Sequence, residues 1–236
     1  MVLNNATLIL DLDGTLFDLA DRPADVRADP QTQALLKRLM QRLDGRVAVV
    51  SGRSLAQIDA MLGATATEIW ASGSHGCQHR WDGVTESPAR PSSLDEVVAR
   101  FLAFATDRPG VLVEEKSLGA AVHYRMAPDM GPLATALAQE LADRHGLYLQ
   151  HGKQMVELRV GSANKGSAIR ALMAHPRLAH TTPVFAGDDV TDEPGFEAVR
   201  DLGGYAILVG APRPTAADYG FGSPGELREW LWEAST

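Results

Sequence analysis

Leu8-Ile9-Leu10-Asp11-Leu12-Asp13-Gly14-Thr15-Leu16 is an apolar run that delivers two carboxylates at its end and then turns. The apolar stretch predicts a buried strand and Asp13-Gly14 a turn. Strand alternation puts Asp11 and Asp13 on the same side of the extended chain. Two carboxylates so placed repel each other unless something positive stands between them. A divalent cation would serve, and hard oxygen donors favour Mg²⁺. Read alone, the pair also fits two acids that cap a turn. Three further stretches add complementary chemistry: Ser51-Gly52-Arg53, Lys165-Gly166, and Gly187-Asp188-Asp189-Val190-Thr191-Asp192-Glu193. Together the four hold what phosphoryl transfer needs. They supply a carboxylate nucleophile, a nearby acid, a hydroxyl and an ammonium for the phosphate oxygens, and acidic metal ligands. Each alone has a plainer reading, as a turn before a helix cap, a solvated lysine or a charged loop.

The elements that must position these groups alternate strand and helix. After the Asp11 strand and an irregular stretch from Phe17 to Ala28, Asp29-Pro30 opens a helix with Leu35, Leu39 and Leu43 as its buried stripe. Arg46 to Val50 is an apolar strand. Ser54 with Gln57 forms a capping box for a helix through Leu62, and Glu68 to Ala71 reads as a third strand. From Gly83 to about Arg90 the chain is rich in Pro, Ser and Thr and reads as a linker. A different grammar follows: a helix opened by a Ser93–Glu96 capping box, a hairpin from Val111–Glu115 and Ala120–Tyr124, a helix from Met130 to His145, and a second hairpin from Leu147–Gln150 and Met155–Leu158. The first grammar then resumes. Ser162 or Asn164 caps a helix carrying Lys165, Pro183 to Ala186 is a strand ending at the acidic run, Tyr205 to Val209 is another, and Ser223-Pro224 opens the last helix. The expected fold is α/β: a doubly wound, Rossmann-like parallel sheet over 1–82 and 161–236, interrupted by a smaller α+β domain over 83–160. In such a sheet the four candidate stretches, each at a strand end or helix start, converge on one crevice.

Composition sets the outer bounds. With 236 residues, 45% hydrophobic and 22% charged, the chain supports a substantial core without staples. A formal charge of -8 and a pI near 5.3, with no basic block, argue against nonspecific binding to nucleic acid or to anionic membrane. The lone Cys77 excludes an intrachain disulfide and fits a reducing compartment. No apolar run reaches the length of a membrane span and the N-terminus lacks signal-peptide character, so a cytoplasmic location is expected.

Asp11-Leu12-Asp13-Gly14-Thr15-Leu16, Ser51-Gly52-Arg53-Ser54, Lys165-Gly166 and the Gly187–Glu193 run resemble the four motifs of the haloacid dehalogenase superfamily. More narrowly, the chain resembles that superfamily's trehalose-6-phosphate phosphatases. The narrower resemblance also covers Gly73-Ser74-His75-Gly76, Glu114-Glu115-Lys116, Val122-His123-Tyr124-Arg125 and Gly152-Lys153-Gln154-Met155-Val156-Glu157-Leu158-Arg159. It runs from about Leu8 to Phe196. Val160, where the family usually has proline, and Pro194-Gly195, where it usually has Asp-Ala, depart from the pattern. The resemblance implies a Mg²⁺-dependent phosphatase, with the inserted domain as a C2-type cap acting as a lid. Asp11 would be the nucleophile that forms an aspartyl-phosphate, and Asp13 the acid and later the base. Mg²⁺ would sit on Asp11, the Asp13 carbonyl and Asp188, with Asp189 and Asp192 orienting that shell. Ser51 and Lys165 would hold phosphate oxygens. The substrate would further meet Gly52, Arg53 and His75, and its sugar Glu114, Lys116, Arg125, Lys153 and Glu157. A trehalose-phosphate synthase would be the partner enzyme in the same pathway.

The same core would also serve a sucrose-phosphate or mannosyl-phosphoglycerate phosphatase, or a phosphomutase. From another class comes a catalytically silent sugar-phosphate-binding regulatory domain. Intact Asp11 and Asp13 argue against it, because a binding module has no need of a nucleophile.

Overall fold

Every residue of the central strand β1 (Ala6–Leu10) is buried, because helices cover both faces of its sheet. The computed structural model describes residues 3–20, 26–152 and 154–235. After β1 come α1 (Pro30–Arg42), β2 (Val47–Val50), α2 (Leu55–Leu62), β3 (Trp70–Gly73), β4 (Gln78–Trp81) and β5 (Val84–Glu86). Next are α3 (Ser93–Ala105), β6 (Leu112–Lys116), β7 (Gly119–His123), α4 (Gly131–His145), β8 (Tyr148–Gly152) and β9 (Met155–Arg159). The chain closes with α5 (Lys165–Met173), β10 (Thr182–Gly187), α6 (Glu193–Asp201), β11 (Tyr205–Val209), β12 (Tyr219–Phe221) and α7 (Pro224–Ala234). These form two compact units, Met1–Ser87 with Ala163–Thr236, and Pro88–Ser162. Among the described residues, no helix is long and apolar enough to cross a membrane.

In the first unit the strand order is β12-β11-β10-β1-β2-β3-β4-β5. Strands β12 through β3 in that order run parallel, and β4 and β5 extend the sheet antiparallel. β1 lies between β10 and β2, so the chain turns from one direction of sheet growth to the other on either side of it. An open α/β sheet holds its ligand crevice at the carboxyl end of such a switch point. Alternation along β1 divides the core. Leu8 and Leu10 pack with Leu35, Leu39 and Ile58 of α1 and α2 and with Leu227 and Leu231 of α7. Ile9 points the other way, to Ile169 of α5 and Phe196 of α6. β1 stops at Leu10, and Asp13 is reached only across a turn, so the expected strand alternation does not extend to it.

Local signals set most element starts. Asp29 accepts from the Thr32 amide at 2.7 Å to cap α1, Ser54 and Gln57 close a capping box on α2, and Asn164, not Ser162, caps α5. Three expectations fail. The Ser93–Glu96 box is absent: α3 begins at Ser93 after Ser92, which has helical backbone angles and no capping side chain. The supposed linker from Gly83 begins as a strand, because Asp82 and Gly83 both take positive φ and turn β4 into a hairpin with β5. The third strand falls at Trp70–Gly73, two residues later than expected, because a short 3-10 turn at Gly63–Thr65 extends the end of α2.

The second unit is a four-stranded antiparallel sheet of order β6-β7-β9-β8. Ala120, Val122, Val156 and Leu158 form its core with Val97 and Phe101 of α3 and with Ala134, Ala138 and Leu141 of α4. The alternate residues face the other way. Register aligns Glu114, Ala121, Glu157 and Gln150 in one row across that face, and Lys116, Gly119, Arg159 and Tyr148 in the next.

Candidate active site

Asp11 follows β1 directly, its amide donating to the Ala186 carbonyl of β10 at 2.9 Å. Its carboxylate is buried, 5% exposed, and meets the first residue of α5: Lys165 Nζ stands 2.8 Å from Asp11 Oδ1. The same ammonium donates to Asp192 Oδ1 at 2.6 Å. The other oxygen of Asp192 accepts from the amides of Asp188 and Asp189, each at 3.0 Å. Asp192 therefore holds the acidic loop and the lysine together, and it is wholly buried.

Asp188 completes the cluster. Single carboxylate oxygens of Asp11, Asp188 and Asp192 lie within 4.8 Å of one another. Thr15 Oγ1 is 3.4 Å from Asp188 Oδ1, a contact that sequence reading did not single out. Gly14 is required here twice over. Its φ is +79°, and a Cβ on it would fall 2.2 Å from Asp188 Oδ2.

Three carboxylates surround one ammonium. Burial first, and then repulsion from Asp192 and Asp188 working against the attraction of Lys165, pushes Asp11 up to about 8. Burial and the neighbouring Asp192 push Asp188 up to about 6. Burial alone would push the Lys165 ammonium down, but Asp11 and Asp192 hold it above its ordinary value. A site whose acids resist ionising, with hard oxygen donors and too little positive charge, fits a divalent cation. Both oxygens of Asp192 are already engaged, so Asp11 and Asp188 are the carboxylates left to hold an ion, with Asp192 orienting them. Asp189 is exposed and turns its carboxylate back onto the Val190 amide, 2.7 Å away, at the start of a short 3-10 turn.

The Ser51-Gly52-Arg53 stretch follows β2. Ser51 is buried, its amide donating to the Ser72 carbonyl and its hydroxyl accepting from the Arg53 amide. The Gly73–Gly76 turn is stapled to it, with the Ser74 amide on the Arg53 carbonyl at 2.7 Å and the His75 amide on the Ser51 carbonyl at 3.1 Å. Ser74 and His75 both take positive φ, a costly pair for residues with side chains. The turn lays the His75 ring against Gly52, where a Cβ would meet it at 2.6 Å. Arg53 reaches Asp13 with both arms of its guanidinium, Nε to Oδ2 at 2.7 Å and a terminal nitrogen to Oδ1 at 2.6 Å. Asp11, Asp13, Ser51, Gly52, Arg53, His75, Lys165, Asp188 and Asp192 all belong to the first unit.

Asp189 belongs there too, and the second unit holds Glu114, Lys116, Arg125 and Glu157. Lys116 Nζ donates to Glu157 Oε2 at 2.6 Å, and Glu157 is 3% exposed although it lies on the face away from the helices. Glu114 pairs with His123 at 2.9 Å, and Arg159 donates to Gln150 at 2.9 Å while its guanidinium lies over the Tyr148 ring. Sequence reading gave His123, Gln150 and Arg159 no role, because only the strand register reveals whom they face. Arg125 is exposed beyond β7. Lys153 lies outside the described residues.

Residues 9–221 match the family model described as Trehalose-phosphatase. The chain is 38% identical over 221 residues to a probable trehalose-phosphate phosphatase of Sinorhizobium fredii, covering 92% of this chain and 83% of the relative. It is 33% identical over 224 residues to the trehalose-6-phosphate phosphatase of Escherichia coli, covering 94% and 83%. The crystal structure of a trehalose-6-phosphate phosphatase related protein superimposes with a TM-score of 0.82 at 29% identity, over 97% of this chain and 96% of that one. A haloacid dehalogenase-like hydrolase from B. subtilis, 15% identical with a TM-score of 0.63, shares the fold alone. A buried Asp11–Lys165–Asp192 cluster at the switch point of a haloacid dehalogenase fold, and a family match over most of the sequence, lead to one conclusion: the chain belongs to the trehalose-phosphatase family.

Proposed function

We propose that this chain hydrolyses trehalose 6-phosphate to trehalose and phosphate, with Asp11 as the nucleophile. The observation that carries the chemistry is the position of Asp11, buried at a strand end and touching the Lys165 ammonium. An oxygen of Asp11 attacks phosphorus. The bond from phosphorus to the sugar oxygen breaks as that oxygen takes a proton from Asp13. Water then attacks the phosphorus of the aspartyl-phosphate, giving its proton to Asp13, and the bond from phosphorus to Asp11 breaks. Lys165 and Ser51 hold phosphate oxygens, the ammonium countering the charge that gathers there. Asp11, the Asp13 carbonyl and Asp188 would hold Mg²⁺. When bound, it would neutralise the carboxylates and draw charge from the phosphoryl group.

For the sugar, the second unit supplies both donors and acceptors. Lys116, Glu157, Glu114 and Arg125 offer what the hydroxyls of a disaccharide require, and Lys153 lies between β8 and β9 in sequence. A sugar that covers such groups and leaves them unpaired costs about 1 to 3 kcal/mol per group, enough to select among sugar phosphates. The names of the relatives favour trehalose 6-phosphate over sucrose or mannosylglycerate phosphates. In this reading the enzyme is cytoplasmic and acts after a trehalose-phosphate synthase. The test is phosphate release from trehalose, sucrose, glucose and mannosylglycerate phosphates with Mg²⁺. A kcat/KM for the trehalose ester at least about tenfold above the others, near 1.4 kcal/mol, supports the reading. A higher value for another ester overturns it.

A further inference from the structure

Arg53, expected on the substrate, holds Asp13 with two of its guanidinium nitrogens. Nε donates to Oδ2 at 2.7 Å and a terminal nitrogen to Oδ1 at 2.6 Å, so both carboxylate oxygens are held by one planar fork. The Arg53 side chain is 11% exposed and that of Asp13 30%, so the pair is shielded on the arginine side and open on the acid side. A forked contact of this kind fixes the plane of a carboxylate as well as its position, which a single ammonium cannot do.

Both backbones are also fixed. The Arg53 amide donates to Ser51 Oγ, and its carbonyl accepts from the Ser74 amide at 2.7 Å. Asp13 bridges to Phe17, and the Gly14 amide closes the loop on the Phe17 carbonyl at 2.8 Å. Without its partner, Asp13 would hang from a turn, beyond the last residue of β1, with its side-chain torsions free. An acid that must meet one leaving oxygen cannot tolerate that freedom, since an error of about 1 Å in placement can cost a hundredfold in rate.

We propose that Arg53 is a positioning residue for Asp13: it sets the plane of the carboxyl group that serves the leaving sugar oxygen, and it acts through Asp13 rather than on the phosphate or the sugar. This rests on the phosphatase reading above. A role through the leaving group has a signature that phosphate binding lacks. An aryl phosphate departs as a stable phenolate and needs little help from an acid, whereas an alkoxide leaving from a sugar needs it fully.

The experiment compares single-turnover release of trehalose from trehalose 6-phosphate with release of p-nitrophenol from its phosphate, for the wild type, Arg53→Ala, Arg53→Lys, Asp13→Asn and Arg53→Ala with Asp13→Asn. The expected result is that Arg53→Ala slows trehalose release at least tenfold more than p-nitrophenol release. Arg53→Lys should recover less than a third of the loss, and Arg53→Ala should add less than a twofold loss once Asp13 is Asn. Equal slowing of both esters would overturn the proposal in favour of phosphate binding, and full recovery by lysine would reduce the role to charge. Additive losses in the double variant would separate Arg53 from Asp13. If the wild type releases p-nitrophenol but not trehalose, the substrate reading has failed, and the same comparison on the sugar phosphate it does accept decides the role of Arg53. Circular dichroism of each variant separates misfolding from all these outcomes.

Discussion

Lys165 Nζ stands 2.6 Å from Asp192 Oδ1, and the other oxygen of Asp192 gathers the two amides that begin the acidic loop. One buried ion pair thus connects the start of α5 to the end of β10, and Asp11 of β1 shares the same ammonium. Three strand or helix ends of the first unit meet on a single nitrogen.

Lys165→Ala leaves Asp11, Asp188 and Asp192 with no cation among them. Removing one partner of a buried pair costs roughly 3 to 5 kcal/mol. Urea unfolding in the presence of chelator should show that loss at pH 8, and a smaller loss at pH 5, where Asp11 holds its proton. A loss under about 1 kcal/mol at both values would mean that the ammonium does not compensate the cluster.

Metal-free protein should lose stability as pH rises. Asp188 and Asp11 move from an unfolded value of 3.8 up to about 6 and about 8, so between those limits the folded state binds protons that the unfolded state has shed. Stability then falls with rising pH, from about pH 4 to about pH 8. Bound Mg²⁺ would stabilise the ionised carboxylates, so the rise in Tm on adding it should be larger at pH 8 than at pH 5. Equal rises at the two values would contradict the raised carboxyl groups.

Gly14→Ala should cripple activity with the fold retained. The methyl group would fall 2.2 Å from Asp188 Oδ2, and an alanine at φ +79° is strained besides. Displacing Asp188 by even about 1 Å should cost roughly a hundredfold in kcat and weaken Mg²⁺ binding in a calorimetric titration. Wild-type kcat and affinity would show that the loop adapts.

Glu157→Ala should raise KM for trehalose 6-phosphate at least about tenfold, roughly 1.4 kcal/mol, and affect a small aryl phosphate far less. Glu157 is buried against Lys116 in the second unit, so the fold of that unit must be checked by thermal melting. Equal losses on both substrates would assign the pair to structure.

Much of this site was legible in the sequence because its groups sit where local rules hold. An apolar run buried on both faces marks β1, Asn164 and Ser54 are cap residues, and Asp13-Gly14 turns as its composition demands. What was not legible depends on distance in sequence. Arg53 and Asp13 are 40 positions apart, and nothing local says that the arginine pairs with that acid. The same holds for His123 on Glu114, which requires the hairpin register. Asp82-Gly83 was a readable hairpin signal that the polar residues after it obscured. The Ser93 box failed for the opposite reason: the helix begins at the serine itself, so its side chain cannot fold back as a cap.

A nucleophilic Asp11 would carry the phosphoryl group of trehalose 6-phosphate during turnover. Rapid acid quench of the wild-type enzyme during its first turnover, followed by mass spectrometry of its peptides, tests it most directly. One phosphoryl group is expected on the peptide carrying Asp11, appearing as trehalose is released and absent in Asp11→Asn. Release of trehalose with no phosphorylated peptide at any time, or phosphorylation at another residue, would contradict it.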